Sequence, residues 1–264
     1  DVAVVQPNIH LSDKRKPSSL QKNIESLLND SKPAINNNID LIIWPETSIS
    51  SYPISENNYY IKSIQSQLKE SKLIFGIPYY FKDKNISNSY NSAMLMNKES
   101  IQKIYHKHQL VPGPEYIPLT NYFPFLMNLD FGQNNIARGT EYTIMEVNEV
   151  KCAVMICFES TFPNMSREFV NKGAEILIYL VNDGWYEHPP EPQQHARQAV
   201  YRAIENRRPV IRCTNTGISM IIDAGGYISH ELPLNEKGMI QTTIKSHNIA
   251  TFYTSHGDIF AKLN

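Results

Sequence analysis

The sequence predicts an α/β fold with a large share of sheet, because short apolar runs alternate along the chain with longer helix-like stretches. Several runs are continuously apolar, as in AEILIYLV at 174–181, and such runs are typical of strands covered on both faces. A chain of 264 residues, 41% of them hydrophobic, is long enough to fill such a core within one domain.

The apolar runs fix the predicted strands, which lie at 2–6, 40–44, 72–76, 91–96, 101–106, 142–147, 151–157, 175–181, 209–213, 217–223 and 238–243. Helices are predicted at 18–30, 56–70, 162–172 and 193–206. The third helix is the best delimited, because Thr161 suits its N-cap, Pro163 its first turn and Gly173 its end. None of the runs reaches the ~18 apolar residues of a membrane-spanning helix.

Charge and cysteine content limit the possible partners and disulfide bonds. The formal net charge of -1 argues against nucleic acid as the main partner, since phosphate-binding surfaces concentrate Lys and Arg. The KRK run at 14–16 is interpreted as a solvated loop. Cys152 and Cys157 are expected on opposite faces of one strand, so they should not form a disulfide.

Because the chain opens at Asp1 directly in a predicted strand, we interpret it as a piece of a longer protein.

Three chemically active residues each follow a predicted strand. Cys157 ends the run 153–156, Glu46 follows the apolar residues of LIIWPET, and Lys107 follows the strand at 101–106. A thiol, a carboxylate and an ammonium so placed are expected to meet in one site at one edge of a sheet. Taken singly, each has a structural alternative: a buried core cysteine, a carboxylate that caps a strand end, and a solvated lysine.

The expected chemistry follows from the ordinary pKa of a free thiol, which lies near ~8.5 and leaves little thiolate at neutral pH. An ammonium at about 4 Å offers ~4 kcal/mol towards ionisation, whereas the carboxylate of Glu46 opposes it. We therefore expect Cys157 to be a neutral thiol whose proton passes to Glu46 during attack. Lys107 and the backbone N–H of Phe158 are expected to stabilise the oxyanion.

Three segments resemble the signature of the carbon–nitrogen hydrolase (nitrilase) superfamily: WPET at 44–47, KHQLVPGPEY at 107–116 and CFES at 157–160. Other segments are similar to one branch, the apolipoprotein N-acyltransferases: YNSAMLM at 90–96, the stretch from NDGWY to CTNTG at 182–217, and the ending TFYTSHGDIFAKL. The resemblance runs from Gln6 to about Leu263. It departs from the family in two loops: VPFGEY is frequent where this chain has VPGPEY at 111–116, and GWYEHPPEPQQH at 184–195 carries more proline than the family pattern leads us to expect.

This resemblance implies a four-layer αββα sandwich, with residues 1–264 forming a single carbon–nitrogen hydrolase domain excised from a multi-span membrane protein. It implies an acyltransferase of lipoprotein biosynthesis that uses no metal and no cofactor. An acyl chain would pass from a phospholipid donor, through a cysteine thioester, to the N-terminal amine of a diacylglyceryl-cysteine lipoprotein. The implied location is the inner membrane of a Gram-negative-type bacterium, with this domain facing the periplasm.

The resemblance also assigns roles to residues. It implies a Glu-Lys-Cys triad in which Glu46 is the general base, Lys107 the oxyanion stabiliser and Cys157 the nucleophile. Glu115 matches a further glutamate that orients the lysine or assists proton transfer, and its structural alternative is a loop carboxylate.

Neighbouring positions complete the expected site. Phe158 stands where the family often has tyrosine. Glu159 matches a family glutamate near the nucleophile, and its alternative is a carboxylate at a helix start, favoured by the helix dipole. Charged residues of the fourth predicted helix, among them His195, Arg202 and Glu205, are expected to form structural ion pairs.

The segment 111–132 is rich in proline and aromatic residues and is interpreted as a long loop over the site. Its apolar members are Tyr116, Tyr122, Phe123, Phe125, Leu126, Met127, Leu129 and Phe131. Either they complete the core, or part of the 116–131 loop lies in the membrane interface. The same two alternatives, core packing or the membrane interface, apply to Trp185 and Tyr186. The candidate substrate or lipid contacts are Tyr116, Phe123, Phe125 and Trp185.

Two other functions stay open. A soluble carbon–nitrogen hydrolase, an amidase acting on a small amide, would use the same triad, because only the molecule that resolves the acyl-enzyme differs. An inactive nitrilase-like module that binds lipid or protein is the third possibility, and the intact triad argues against it.

Overall fold

The structure, a computed structural model, describes residues 1–14, 16–49, 58–83, 86–120, 122–128, 136–185 and 190–259. Its strands are β1 Val2–Gln6, β2 Leu41–Ile43, β3 Lys72–Asp83, β4 Ile86–Met96, β5 Ile101–His106, β6 Ile144–Val147, β7 Val150–Ile156, β8 Ile176–Val181, β9 Val210–Thr214, β10 Ser219–Ile222, β11 Ile228–Leu232 and β12 Gly238–Thr242. Its α-helices are α1 Leu11–Lys14, α2 Leu20–Asn36, α3 Tyr59–Gln65, α4 Pro163–Asn171, α5 Glu191–Asn206 and α6 Phe252–His256. Short 3-10 turns lie at Pro17–Ser19, Pro124–Asn128 and Cys157–Thr161.

The strands form two six-stranded sheets with the orders β12-β1-β2-β3-β4-β5 and β11-β10-β9-β8-β7-β6. In each sheet three neighbouring strands are parallel, β1 to β3 in the first and β7 to β9 in the second, and the outer strands pair antiparallel. The sheets face one another, with β1 against β9 and β4 against β7. Helices α2 and α3 cover the first sheet, and α4 and α5 the second, which confirms the four-layer αββα sandwich.

The continuous apolar runs follow from this layering. In β1, Val2 and Val4 point into the core between the sheets, whereas Ala3 and Val5 point towards α2. Both faces of the strand are therefore removed from water, and alternation with polar residues is lost. Among the described residues, no helix combines the length and the apolar character needed to cross a bilayer.

Many element boundaries lie within a few residues of those predicted, but several elements differ. Strands β3 and β4 are longer than the predicted 72–76 and 91–96, and the short helices α1 and α6 were not predicted. Helix α2 continues beyond residue 30 to Asn36, because Ala34 and Ile35 add to the buried face against the first sheet. The helix predicted at 56–70 is limited to α3, and residues 56 and 57 lie outside the described residues. Strand β11 was not predicted, because its sequence ISHEL is mostly exposed at a sheet edge and lacks an apolar run.

Candidate active site

The turn after β2 places Glu46 in the interior. Glu46 and its neighbour Trp44 are buried, and the indole N–H of Trp44 donates to Ser31 Oγ at 2.8 Å. Thr47 has a φ of 47°, so the backbone reverses directly after Glu46. Gly76 of β3 lies against this turn, and a Cβ added there would come within 2.5 Å of the Glu46 Cα. The close approach of β3 therefore requires glycine.

Lys107 follows β5 and is only 1% exposed. Its Nζ lies 2.8 Å from Glu115 Oε1 and 3.9 Å from Glu46 Oε1. Asn91 of β4 joins the two carboxylates, because its Nδ2 donates to Glu46 Oε1 at 2.8 Å and to Glu115 Oε1 at 3.2 Å. The sequence analysis missed Asn91, although a polar residue at the start of an apolar strand was the available signal.

The VPGPEY loop brings Glu115 to the lysine by folding back on itself. Val111 N donates to Glu115 Oε2 at 2.7 Å, and Glu115 N donates to Val111 O at 3.1 Å. Gly113 takes the left-handed φ of 93°, and its N–H donates to Tyr116 O at 2.8 Å. The departure from the frequent family sequence therefore leaves the Glu115 carboxylate in contact with Lys107.

Cys157 begins the 3-10 turn after β7 with a φ of 51°, a strained conformation for a residue with a side chain. Burial and then the charge of Glu46 raise the pKa of the Cys157 thiol well above its ordinary value, while Lys107 opposes them. The resting thiol is therefore neutral, as expected. The turn also leaves the N–H groups of its first residues, including Phe158, without acceptors inside the turn itself.

The charges of the site determine one another's protonation. Burial is the main cause that raises the pKa of Glu46, and Lys107 opposes it. Burial alone would lower the pKa of Lys107, but the charges of Glu46 and Glu115 outweigh it and the net pKa is raised. These causes keep Lys107 an ammonium, and they make Glu46 a stronger proton acceptor than an exposed glutamate.

Glu159 is fully buried and connects the Lys107 segment to the Cys157 turn. Its Oε1 accepts from the backbone N–H groups of His108 at 2.6 Å and Gln109 at 3.0 Å, and its Oε2 accepts from Ile156 N at 2.7 Å. Tyr105 Oη lies 2.9 Å from both oxygens. Burial raises the pKa of Glu159 to about 7, while the backbone donors favour the ionised form. Glu159 is thus more than a carboxylate at a helix start.

The sequence analysis expected the three residues to lie at one edge of a single sheet, and this expectation is wrong. Glu46 and Lys107 follow β2 and β5 of the first sheet, whereas Cys157 follows β7 of the second. Strands β2 and β5 end at the same edge because they point in the same direction. The site is therefore assembled across the interface between the two sheets, which apolar patterns alone do not reveal.

The expectation of ion pairs on α5 holds for Arg202, whose Nη2 lies 2.7 Å from Glu205 Oε1. His195 has a different environment. Its Nδ1 lies 2.8 Å from Asp183 Oδ1, and its Nε2 lies 3.0 Å from Ser160 Oγ and 3.2 Å from the Cys157 carbonyl. His195 therefore supports the backbone of the Cys157 turn.

The candidate lipid contacts separate into two groups. Tyr116 is half-buried, and the Arg138 guanidinium carbon lies 4.6 Å from its ring centroid. Phe123 and Phe125 are exposed and pack edge to face at 6.1 Å, and Trp185 is also exposed. These three side chains do not complete the core. Leu129, Phe131, Tyr186 and the side chain of Met127 lie outside the described residues.

Comparisons with known proteins identify the relatives of this chain. The carbon–nitrogen hydrolase family model matches residues 1–253. The chain is 31% identical to an apolipoprotein N-acyltransferase of Geobacter metallireducens, over 98% of this chain and 50% of that protein. It is 32% identical to one of Chlorobaculum tepidum, over 98% of this chain and 53% of that protein. The chain thus spans about half the length of the curated relatives it matches.

Two solved structures share the fold. A glutamate-to-glutamine mutant of the amidase from Nesterenkonia sp. AN1, with acrylamide added to its active-site cysteine, superposes with a TM-score of 0.71 at 14% identity, covering 99% of this chain and 98% of that one. Nit3 of Saccharomyces cerevisiae, from branch 10 of the nitrilase superfamily, gives 0.66 at 19% identity, covering 90% and 87%. Because the family model matches nearly the whole chain and these structures share its sandwich fold, the chain belongs to the carbon–nitrogen hydrolase family.

Proposed function

We propose that this chain is the acyl-transferring domain of a lipoprotein N-acyltransferase, with Cys157 as nucleophile, Glu46 as general base and Lys107 as oxyanion stabiliser. The observation that carries the proposal is the buried Lys107 ammonium, held between two carboxylates and acting electrostatically on the Cys157 thiol. Transfer to a lipoprotein is supported by the similarity to apolipoprotein N-acyltransferases over 98% of the chain.

In the first half-reaction the Cys157 sulfur attacks the ester carbonyl of a phospholipid, and the thiol proton passes to Glu46. The tetrahedral oxyanion is stabilised by Lys107 and by the backbone N–H of Phe158. The ester C–O bond then breaks, and Glu46 returns the proton to the departing alkoxide. A lysophospholipid leaves, and the acyl chain stays on Cys157 as a thioester.

In the second half-reaction the free amine of a diacylglyceryl-cysteine attacks the thioester. Glu46 takes a proton from the amine, the C–S bond breaks, and the thiolate recovers that proton from Glu46. Glu115 keeps Lys107 in place through both steps, since its carboxylate accepts from the ammonium at 2.8 Å. The products are an amide and the resting thiol.

The lipid substrates indicate where the domain acts. We assign residues 1–264 to a longer membrane protein of the bacterial inner membrane, with this domain on the periplasmic side. The partial coverage of the longer relatives supports this assignment. The exposed Phe123, Phe125 and Trp185 are the proposed membrane or lipid contacts, because exposed aromatic side chains suit the bilayer interface.

Mass spectrometry of the chain after incubation in phospholipid-containing detergent micelles tests the function. An acyl mass increment on Cys157 that is absent in Cys157→Ala supports the proposal. A thiol that stays unacylated while it still adds acrylamide, under conditions in which the full-length protein is acylated, would exclude the phospholipid donor. Release of ammonia from a small amide in the same preparation would favour the amidase alternative, which the amidase neighbour brings into consideration.

A further inference from the structure

Lys14 is a buried lysine outside the proposed triad. It is the last residue of α1 and is 2% exposed, which corrects its interpretation as part of a solvated loop. Its Nζ donates to the Glu46 carbonyl at 3.1 Å and lies 3.5 Å from Thr47 Oγ1. Both contacts are made to the turn that presents the candidate base. Burying an ammonium is costly unless opposite charge or hydrogen bonds compensate.

Lys14 interacts electrostatically with Glu46, in the turn after β2, and with Cys213 of β9. Burial lowers the pKa of Lys14 to about 8, and Glu46 opposes that effect. Burial raises the pKa of Cys213, whose sulfur lies 3.5 Å from the carbonyls of Val5 and Ile43. Cys213 is therefore neutral, and Lys14 is an ammonium at neutral pH.

The charge balance of the site depends on this ammonium. Glu46 and Glu115 are two carboxylates, and within the described part of the chain the cation in contact with both is Lys107. The repulsion from Glu115 and the burial of Glu46 both favour protonation of Glu46. A protonated Glu46 would be unable to accept the thiol proton. Lys14 adds the second positive charge, and its attraction favours the ionised form of Glu46.

We propose that Lys14 is a positioning residue for Glu46: its hydrogen bonds fix the turn that carries the carboxylate, and its charge keeps that carboxylate ionised. The proposal rests on the proposed role of Glu46 as general base. It gives α1 a specific part in the reaction, although this helix contributes no group that touches the reacting atoms.

Acylation of Cys157 by a p-nitrophenyl ester gives a readout that needs no lipid and includes the proposed proton transfer to Glu46, and its rate can be followed by p-nitrophenol release from about pH 5 to pH 9. The set of proteins is wild type, Lys14→Met, Lys14→Gln, Lys14→Arg and Glu46→Gln, with Lys22→Met as a control for an exposed lysine. Gln keeps hydrogen-bond donors without the charge, and Arg keeps the charge. Urea unfolding of each variant reports whether it is folded.

On the acidic limb, below the pKa of Glu46, Lys14→Met and Lys14→Gln should react up to about tenfold more slowly than wild type, the scale of a one-unit pKa change. The acidic limb of their pH profiles should move to higher pH, an effect that a purely structural defect would not produce. Lys14→Arg should recover most of the rate, and Lys22→Met should match wild type.

Superposable profiles for wild type and a folded Lys14→Gln would overturn the role of Lys14 alone, provided that Glu46→Gln is slow. If Glu46→Gln itself reacts like wild type, the general-base role in the proposed function is wrong. Should Lys14→Met fail to fold, Lys14→Gln and Lys14→Arg still decide the question.

Discussion

Replacing Glu159 with glutamine tests whether a buried carboxylate fixes the Lys107 segment relative to the Cys157 turn. The backbone N–H groups of His108, Gln109 and Ile156 all donate to Glu159. A glutamine offers one oxygen and one NH₂ group. If its oxygen stays with His108 and Gln109, its NH₂ group faces the N–H of Ile156, donor against donor.

The expected loss follows from counting unsatisfied groups. The N–H of Ile156 and one amide hydrogen of the new glutamine lose their acceptors, and a buried orphaned donor costs ~1–3 kcal/mol. Glu159→Gln should therefore lower the free energy of unfolding by about 2–6 kcal/mol, a large share of the ~5–15 kcal/mol typical of a domain. Acrylamide addition should also slow, because Lys107 and Cys157 would no longer be held in a fixed relation.

Urea unfolding followed by circular dichroism measures the loss, at about pH 8, where Glu159 is ionised because its pKa is about 7. Glu175→Gln is the matched control, since Glu175 accepts one backbone bond, from Lys151 N at 3.0 Å, near the surface. That variant should stay within about 1 kcal/mol of wild type. A Glu159→Gln protein as stable as the control would refute the reasoning.

Three further outcomes are expected. Gly76→Ala should slow acrylamide addition and lower the free energy of unfolding by about 1–3 kcal/mol, because the new Cβ would lie 2.5 Å from the Glu46 Cα. Gly225→Ala, in an exposed turn, is the control. A wild-type rate in Gly76→Ala would contradict this prediction. Lys107→Met should slow turnover roughly 100- to 1000-fold, the effect of one oxyanion donor, and near-normal turnover in a steady-state assay would remove its proposed role. Burial lowers the pKa of His106 from 6.5 to about 4. The folded chain thus binds a proton on His106 less tightly than the unfolded chain does. The contribution of neutral His106 to the free energy of unfolding is therefore full above about pH 6.5 and is lost as the pH falls to about 4. The loss should be about 1–2 kcal/mol after screening of this partly exposed ring. When the free energy of unfolding is measured by urea titration at each pH, it should therefore fall less steeply with decreasing pH in His106→Gln than in wild type.

The sequence was most informative where residue type and local pattern agree. Continuous apolar runs predicted strands covered on both faces, and Cys157 could be placed at a strand end because the run before it stops there. The partner of each strand was not predictable in the same way. Glu46 and Cys157 follow runs of similar character, yet they belong to different sheets.

Lys14 and Asn91 show where the prediction from sequence reached its limit. A lysine in a basic run is usually solvated, so nothing local distinguishes Lys14 from an exposed neighbour. Its burial follows from the packing of α1 against the turn after β2, which lies about 30 residues away in the sequence. Asn91 becomes meaningful only when β4 is placed beside the carboxylates of Glu46 and Glu115.

Assembly of the site from both halves of the sandwich has a mechanical consequence. A small slide of one half over the other would change the separation between the thiol and the groups that serve it, without disturbing any strand internally. Reactivity of this kind is sensitive to displacements of about 1 Å. Side chains deep in the central layer, such as Val4, Leu95 and Val154, therefore act as spacers for the chemistry as well as contributors to stability.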